Sequence, residues 1–85
     1  MSKILVIEDE SAIRRVLVKI LAEESDDYNV VEAEDGKAGI DLIKKEDFDL
    51  VLCDIKMPKM DGVEVLEAAK KIKPEINTAD NRKFK

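Results

Sequence analysis

The sequence predicts an α/β domain built on a parallel sheet, and three observations carry that prediction. Short apolar runs rich in β-branched residues recur along the chain, each is followed by a segment with helical periodicity, and the runs lack the alternation of a half-exposed strand. Continuous apolar runs belong to strands covered on both faces, and parallel neighbours need a crossover helix between them.

The elements follow in order. Lys3-Ile4-Leu5-Val6-Ile7 reads as the first strand. Glu8-Asp9-Glu10-Ser11 leads out of it, with Asp9 or Ser11 as candidate helix cap. Ile13, Val16, Leu17, Ile20 and Leu21 then recur at helical spacing, with Arg14, Arg15, Lys19 and Glu23 on the other side, until Ser25-Asp26-Asp27 breaks the pattern. Tyr28 to Ala33 mixes polar residues with valines and reads as an edge strand. Asp35-Gly36 signals a turn, and Ala38, Leu42 and Ile43 mark a shorter helix ending near Lys44-Lys45. Leu50 to Cys53 is the third strand; Val65, Leu66, Ala69 and Ile72 mark a third helix, capped by Asp61 and stopped by Pro74. The stretch 77–85 carries no apolar strand pattern and is expected to be a polar tail.

Composition bounds the function. The chain has 85 residues, enough for one small domain, which would bury roughly 60–65% of its unfolded surface. Its single cysteine, Cys53, lies in an apolar run and is expected to be a core residue in a reducing cytoplasm. No apolar segment approaches the length of a membrane span, and Met1-Ser2-Lys3 leads straight into a strand-like run, so neither membrane insertion nor export is expected. The formal charge is −5 and uneven: residues 1–54 carry 15 acidic and 7 basic side chains, residues 55–85 carry 5 and 8. An acidic front half with few aromatics argues against direct nucleic-acid binding and suits the collection of a cation.

In an open parallel sheet, functional groups gather beyond the carboxyl ends of the strands. Glu8 and Asp9 directly follow the first strand, and Asp54 directly follows the third. If those strands are neighbours, three carboxylates converge, and a divalent cation would relieve their repulsion. Hard oxygen ligands on a partly open site suit Mg²⁺. A carboxylate beside Mg²⁺ can attack phosphorus, because the metal offsets the charge on the phosphoryl oxygens. Lys56-Met57-Pro58 turns the chain away from the strand and could aim the Lys56 carbonyl at the metal; Gly62 permits a tight approach where the third helix starts. The plainer readings are helix capping for Glu8 and Asp9, a turn residue for Asp54, a turn or cap for Asp61, packing for Met57 and Met60, and a solvated face for Lys70, Lys71 and Lys73.

VIEDE after the first strand and LCDIKMPKMDG after the third resemble the receiver domain of bacterial two-component response regulators, from the start of the chain to about Ile76. The resemblance implies a flavodoxin-like three-layer fold, with strand order 2-1-3 for the units present. It implies that Asp54 accepts a phosphoryl group from a phosphohistidine on a sensor histidine kinase. Glu8, Asp9, Asp54 and the Lys56 carbonyl would hold Mg²⁺. The absence of histidine then makes sense, since the histidine belongs to the partner.

The chain departs from the family's pattern of five strand–helix units and is expected to supply three, residues 1–76, followed by the polar tail. The family's fourth strand ends in a serine or threonine that reads the phosphoryl group, and its fifth ends in a lysine; Thr78, Lys83 and Lys85 have the chemistry but no expected strand to position them. A third strand with a naked edge predicts a homodimer or higher oligomer, with third strands meeting antiparallel across a twofold axis. The leading expectation is a phosphoacceptor signalling module rather than an enzyme. Beside it stands a truncated or engineered derivative that self-associates with impaired phosphorylation. A phosphohydrolase of the aspartate-nucleophile type is more distant, because that class shows Asp-x-Asp and the second position after Asp54 is Lys56.

Overall fold

A computed structural model describes residues 2–53 and 62–80. Strands β1 (Ser2–Ile7), β2 (Tyr28–Ala33), β3 (Leu50–Cys53) and β4 (Asn77–Asp80) alternate with helices α1 (Ser11–Glu24), α2 (Gly36–Lys45) and α3 (Gly62–Ile72). All strand pairings are parallel, and the order across the sheet is β2-β1-β3-β4.

The apolar runs are explained by burial on two faces. Leu5 and Ile7 of β1 and Val51 and Cys53 of β3 point into one core with Ile43 of α2 and Val65 and Ala69 of α3. Ile4 and Val6, alternating with them, join Leu52 and Leu17 of α1 in a second core on the other face. Two helices therefore lie on one side of the sheet and α1 on the other. The edge placement of β2 agrees with its mixed composition, and Leu50–Cys53 is the third strand the sequence predicts.

The polar tail is a correction. Asn77–Asp80 forms β4, pairing Leu50 with Asn77 and Cys53 with Asp80, so β3 is an interior strand. The premise of third strands meeting across a twofold axis is removed: that edge is already occupied. The strand escaped the sequence because ladder pairing uses backbone groups and requires no apolar side chains. Ala79 packs against the α1-side core. The start of β4 is fixed at the amino end of the sheet, where Asn77 Nδ2 donates to the Asp49 carbonyl (3.2 Å) and Lys70 Nζ donates to the Ile76 carbonyl. Asp49 also joins β1 to β3: its backbone N–H donates to the Lys3 carbonyl at 2.7 Å, and its carboxylate accepts from the Lys3 N–H at 2.7 Å.

Helix termini differ in detail from expectation. Glu10 is the N-cap of α1 and makes no side-chain cap bond, so neither Asp9 nor Ser11 fills that role. Asp35 caps α2 instead of merely turning the chain, its Oδ1 accepting from the Ala38 N–H at 2.8 Å. The cap expected from Asp61 lies outside the described residues, as do Met57, Pro58 and Met60. On α1, Val16 (55%) and Ile20 (40%) are exposed, whereas Leu17 is buried and Ile13, Val18 and Leu21 are half-buried. At about 100° per residue, Val16 and Ile20 fall on one flank of the stripe centred on Leu17. A single helix resting on a sheet covers only the stripe that faces it.

Candidate functional site

The site is set by how β1 ends. The β1–β2 register closes on Ile7 opposite Ala33, and the ladder continues one step further, the Glu8 N–H donating to the Ala33 carbonyl at 3.1 Å. Glu8 is thereby kept in line with the strand and is fully buried, whereas Asp9 is exposed. The Glu8 carbonyl accepts from Arg14 Nη1 at 2.8 Å, and its Oε2 accepts from the Glu10 N–H at 3.3 Å. That last bond goes to the N-cap residue itself, not to the helix's first free N–H groups beyond it, so the carboxylate does not act as a conventional cap.

The partner strand arrives at the same level. Ile7 is paired with Cys53, so the residue that follows β1 is Glu8 and the residue that follows β3 in the chain is Asp54. The neighbouring of β1 and β3, on which the convergence of carboxylates depended, is a feature of the sheet. Asp54 and Lys56 themselves lie outside the described residues. Among the described residues no three Asp, Glu, Cys or His side chains are grouped closely enough to hold a metal. Of the four ligands the sequence nominates, Glu8 and Asp9 lie among the described residues.

The chemistry of this pair fits Mg²⁺. One hard carboxylate is withdrawn from water at the base of the strand end, and a second stands in solvent beside it. Burying a charged carboxylate requires compensating charge or hydrogen bonds, and Mg²⁺ takes one or two carboxylates while keeping several waters.

Two further residues were not singled out correctly from sequence. Arg14 was assigned to the solvent side of α1, yet its Nε donates to Glu32 Oε1 at 3.1 Å while Nη1 holds the Glu8 carbonyl. Its place one turn into the helix, with a side chain long enough to reach back over the helix start, was the available signal. Thr78 is positioned by a strand after all, but opposite Val51; Asp80 occupies the carboxyl end of β4, level with Cys53. A depression of about 460 Å³ lined by Asp47, Phe48, Lys73 and Ile76 lies at the opposite, amino end of the sheet.

Comparison with known proteins agrees with this geometry. The family model for the response regulator receiver domain matches residues 4–79. Response regulator receiver protein CpdR of Brucella abortus (strain 2308) is 40% identical over 76 residues, covering 89% of this chain and 62% of that protein. Sporulation initiation phosphotransferase F of Bacillus subtilis (strain 168) is 39% identical over 74 residues, covering 87% of this chain and 58% of that protein. The chain thus spans about three-fifths of the length of these relatives. Response regulator protein TrrA from Thermotoga maritima in complex with Mg²⁺ and BeF superposes with a TM-score of 0.87 at 32% identity, over 99% of this chain and 73% of that one. A chain from the complex of histidine kinase ThkA with TrrA gives a TM-score of 0.85 at 35% identity, over 94% of this chain and 67% of that one. The matched residues 4–79 include β1 from Ile4 and all of β3, and the chain belongs to the response regulator receiver domain family, the signalling modules of two-component systems.

Proposed function

We propose that this domain accepts a phosphoryl group on Asp54 from the phosphohistidine of a sensor histidine kinase, with Mg²⁺ held by Glu8, Asp9, Asp54 and the Lys56 carbonyl. The observation that carries the reading is the register of Ile7 against Cys53: Glu8, which is buried, and Asp54 are the next residues in the chain after this pair on adjacent parallel strands. The TrrA complexes with Mg²⁺ and BeF and with a histidine kinase support the choice of cofactor and partner.

In the transfer, a carboxylate oxygen of Asp54 forms a bond to phosphorus while the phosphorus–nitrogen bond to the partner's imidazole breaks. The electron pair stays on the imidazole, which takes up a proton. When bound, Mg²⁺ supplies charge neutralisation at the phosphoryl oxygens. The buried Glu8 places a carboxyl group at the floor of the site, and exposed Asp9 leaves its mouth open to a partner. The domain turns over no separate substrate. It acts in the cytoplasm; none of the described helices is long and apolar enough to cross a membrane.

A second reading is favoured by one observation. The receiver family ends its fourth strand on serine or threonine, whereas β4 here ends on Asp80 and holds Thr78 two positions earlier, level with Val51. A hydroxyl set back from the strand end is poorly placed to read a phosphoryl group. On this reading the module self-associates through the outer edge of β4 and phosphorylates slowly.

Intact mass after incubation with a phosphorylated histidine kinase and Mg²⁺ separates the two. The proposal expects one phosphoryl adduct, lost in Asp54→Asn and lost with chelator. A slowly forming or missing adduct, together with a folded dimer by light scattering and circular dichroism across a dilution series, selects the second reading.

A further inference from the structure

We propose that Arg14 is a positioning residue for the cation site, clamping the Glu8 peptide from above while braced on β2; this rests on the Mg²⁺ reading given above. Among the described residues, Ala33, Glu10 and Arg14 each hold Glu8. Its N–H is held by Ala33, its Oε2 by the Glu10 N–H, and its carbonyl by Arg14 Nη1 at 2.8 Å. The first is backbone to backbone, and the second joins the Glu8 carboxylate to a backbone N–H. The third depends wholly on Arg14.

The brace explains why the residue is arginine. Nε donates to Glu32 Oε1 at 3.1 Å on the edge strand, while Nη1 reaches the Glu8 carbonyl, so one planar guanidinium spans α1, β1 and β2. The side chain is only 16% exposed, and Glu32 is 44% exposed. A lysine keeps the charge but carries a single donor centre and cannot make both bonds at once in a fixed fork. Charge and positioning also pull in opposite directions. The Arg14 charge disfavours a second cation nearby, whereas a fixed Glu8 favours binding by sparing Mg²⁺ the cost of ordering it.

Isothermal titration of the intact protein with MgCl₂ decides which effect governs, with metal-free melting temperatures and amide hydrogen exchange measured alongside. Expected for Arg14→Lys is a loss of Mg²⁺ affinity of about tenfold, the lower end of what outer ligand supports contribute. Arg14→Gln should also bind more weakly than the parent, Glu32→Gln should show a smaller loss, and the Glu10 amide should exchange faster in Arg14→Lys. Unchanged affinity in Arg14→Lys, or tighter binding in Arg14→Gln, overturns the inference, and so does a lower melting temperature with affinity intact. Glu8→Gln distinguishes the underlying reading. If it binds Mg²⁺ as well as the parent does, the cation site itself is wrong; if it loses binding while Arg14→Lys does not, only the role of Arg14 fails.

Discussion

At the residue scale, two close contacts make opposite demands on sequence. Gly39 of α2 lies against Ile7, and a β-carbon there would overlap Ile7 Cδ1 and Cγ1. Alanine in a helix interior is intrinsically favoured over glycine by up to about 1 kcal/mol, but overpacking a fully buried neighbour costs about 1–3 kcal/mol. Gly39→Ala should therefore lower stability in denaturant unfolding. Adding Ile7→Val, which removes the overlapping Cδ1, should recover part of the loss, so that the double variant is more stable than the two single effects summed. The second contact is the ion pair between Lys73 and Asp47 at the amino end of the sheet. The hydrogen bond from Lys73, with its charge, holds the Asp47 carboxyl below the ordinary aspartate value of 3.8. A carboxyl lowered in the folded state adds stability that is complete above that value and disappears as pH falls through the lowered one. The melting temperature of Lys73→Met relative to the parent should be depressed near neutrality by a small amount, since both groups are solvent-accessible, and the difference should close on acidification below the aspartate range.

At the element scale, β4 decides how the sheet is finished. Three of the four residues of β3 are buried, and β4 covers what would be an apolar edge. A chain ending at Ile76 should expose that edge and associate more strongly than the parent at equal concentration, measured by light scattering; equal masses would show that β4 gives no such protection. The same strand marks the limit of what the sequence discloses. Leu50–Cys53 and Tyr28–Ala33 were legible to the residue, because burial on two faces leaves a continuous apolar run and burial at an edge leaves a mixed one. Asn-Thr-Ala-Asp leaves no such trace, since what holds it is the ladder to β3 together with Asn77 and Lys70 at its start. In α1 the apolar period predicted the helix correctly but overstated its buried face. Val16 and Ile20 keep the period without facing the sheet, and which flank is covered depends on where the helix sits across the strands. Glu8 and Asp9 were legible as a pair from their place after β1, but their division into a buried and an exposed carboxylate was not. It follows from the ladder bond to Ala33, which extends the strand past Ile7. Arg14 was misplaced for the same reason: periodicity assigns a side, not the reach of a long side chain.

At the scale of the whole molecule, the two ends of the sheet do different work. The amino end is fastened by Asp49, Asn77, Lys70 and the Lys73–Asp47 pair, while the carboxyl end carries Glu8 and Asp9 after β1 and Cys53 at the end of β3. The cation site proposed here lies where β1 and β3 end. The measurement that tests it most directly is a titration of the ¹⁵N-labelled protein with MgCl₂, followed by backbone amide shifts. Amides of Glu8, Asp9, Glu10, Cys53 and Asp54 should move together along one saturating curve, with Lys3, Asp49 and Ile76 at the far end unmoved. Shifts confined to one strand end, or spread without saturation over the acidic surface, would mean that β1 and β3 do not share a cation site.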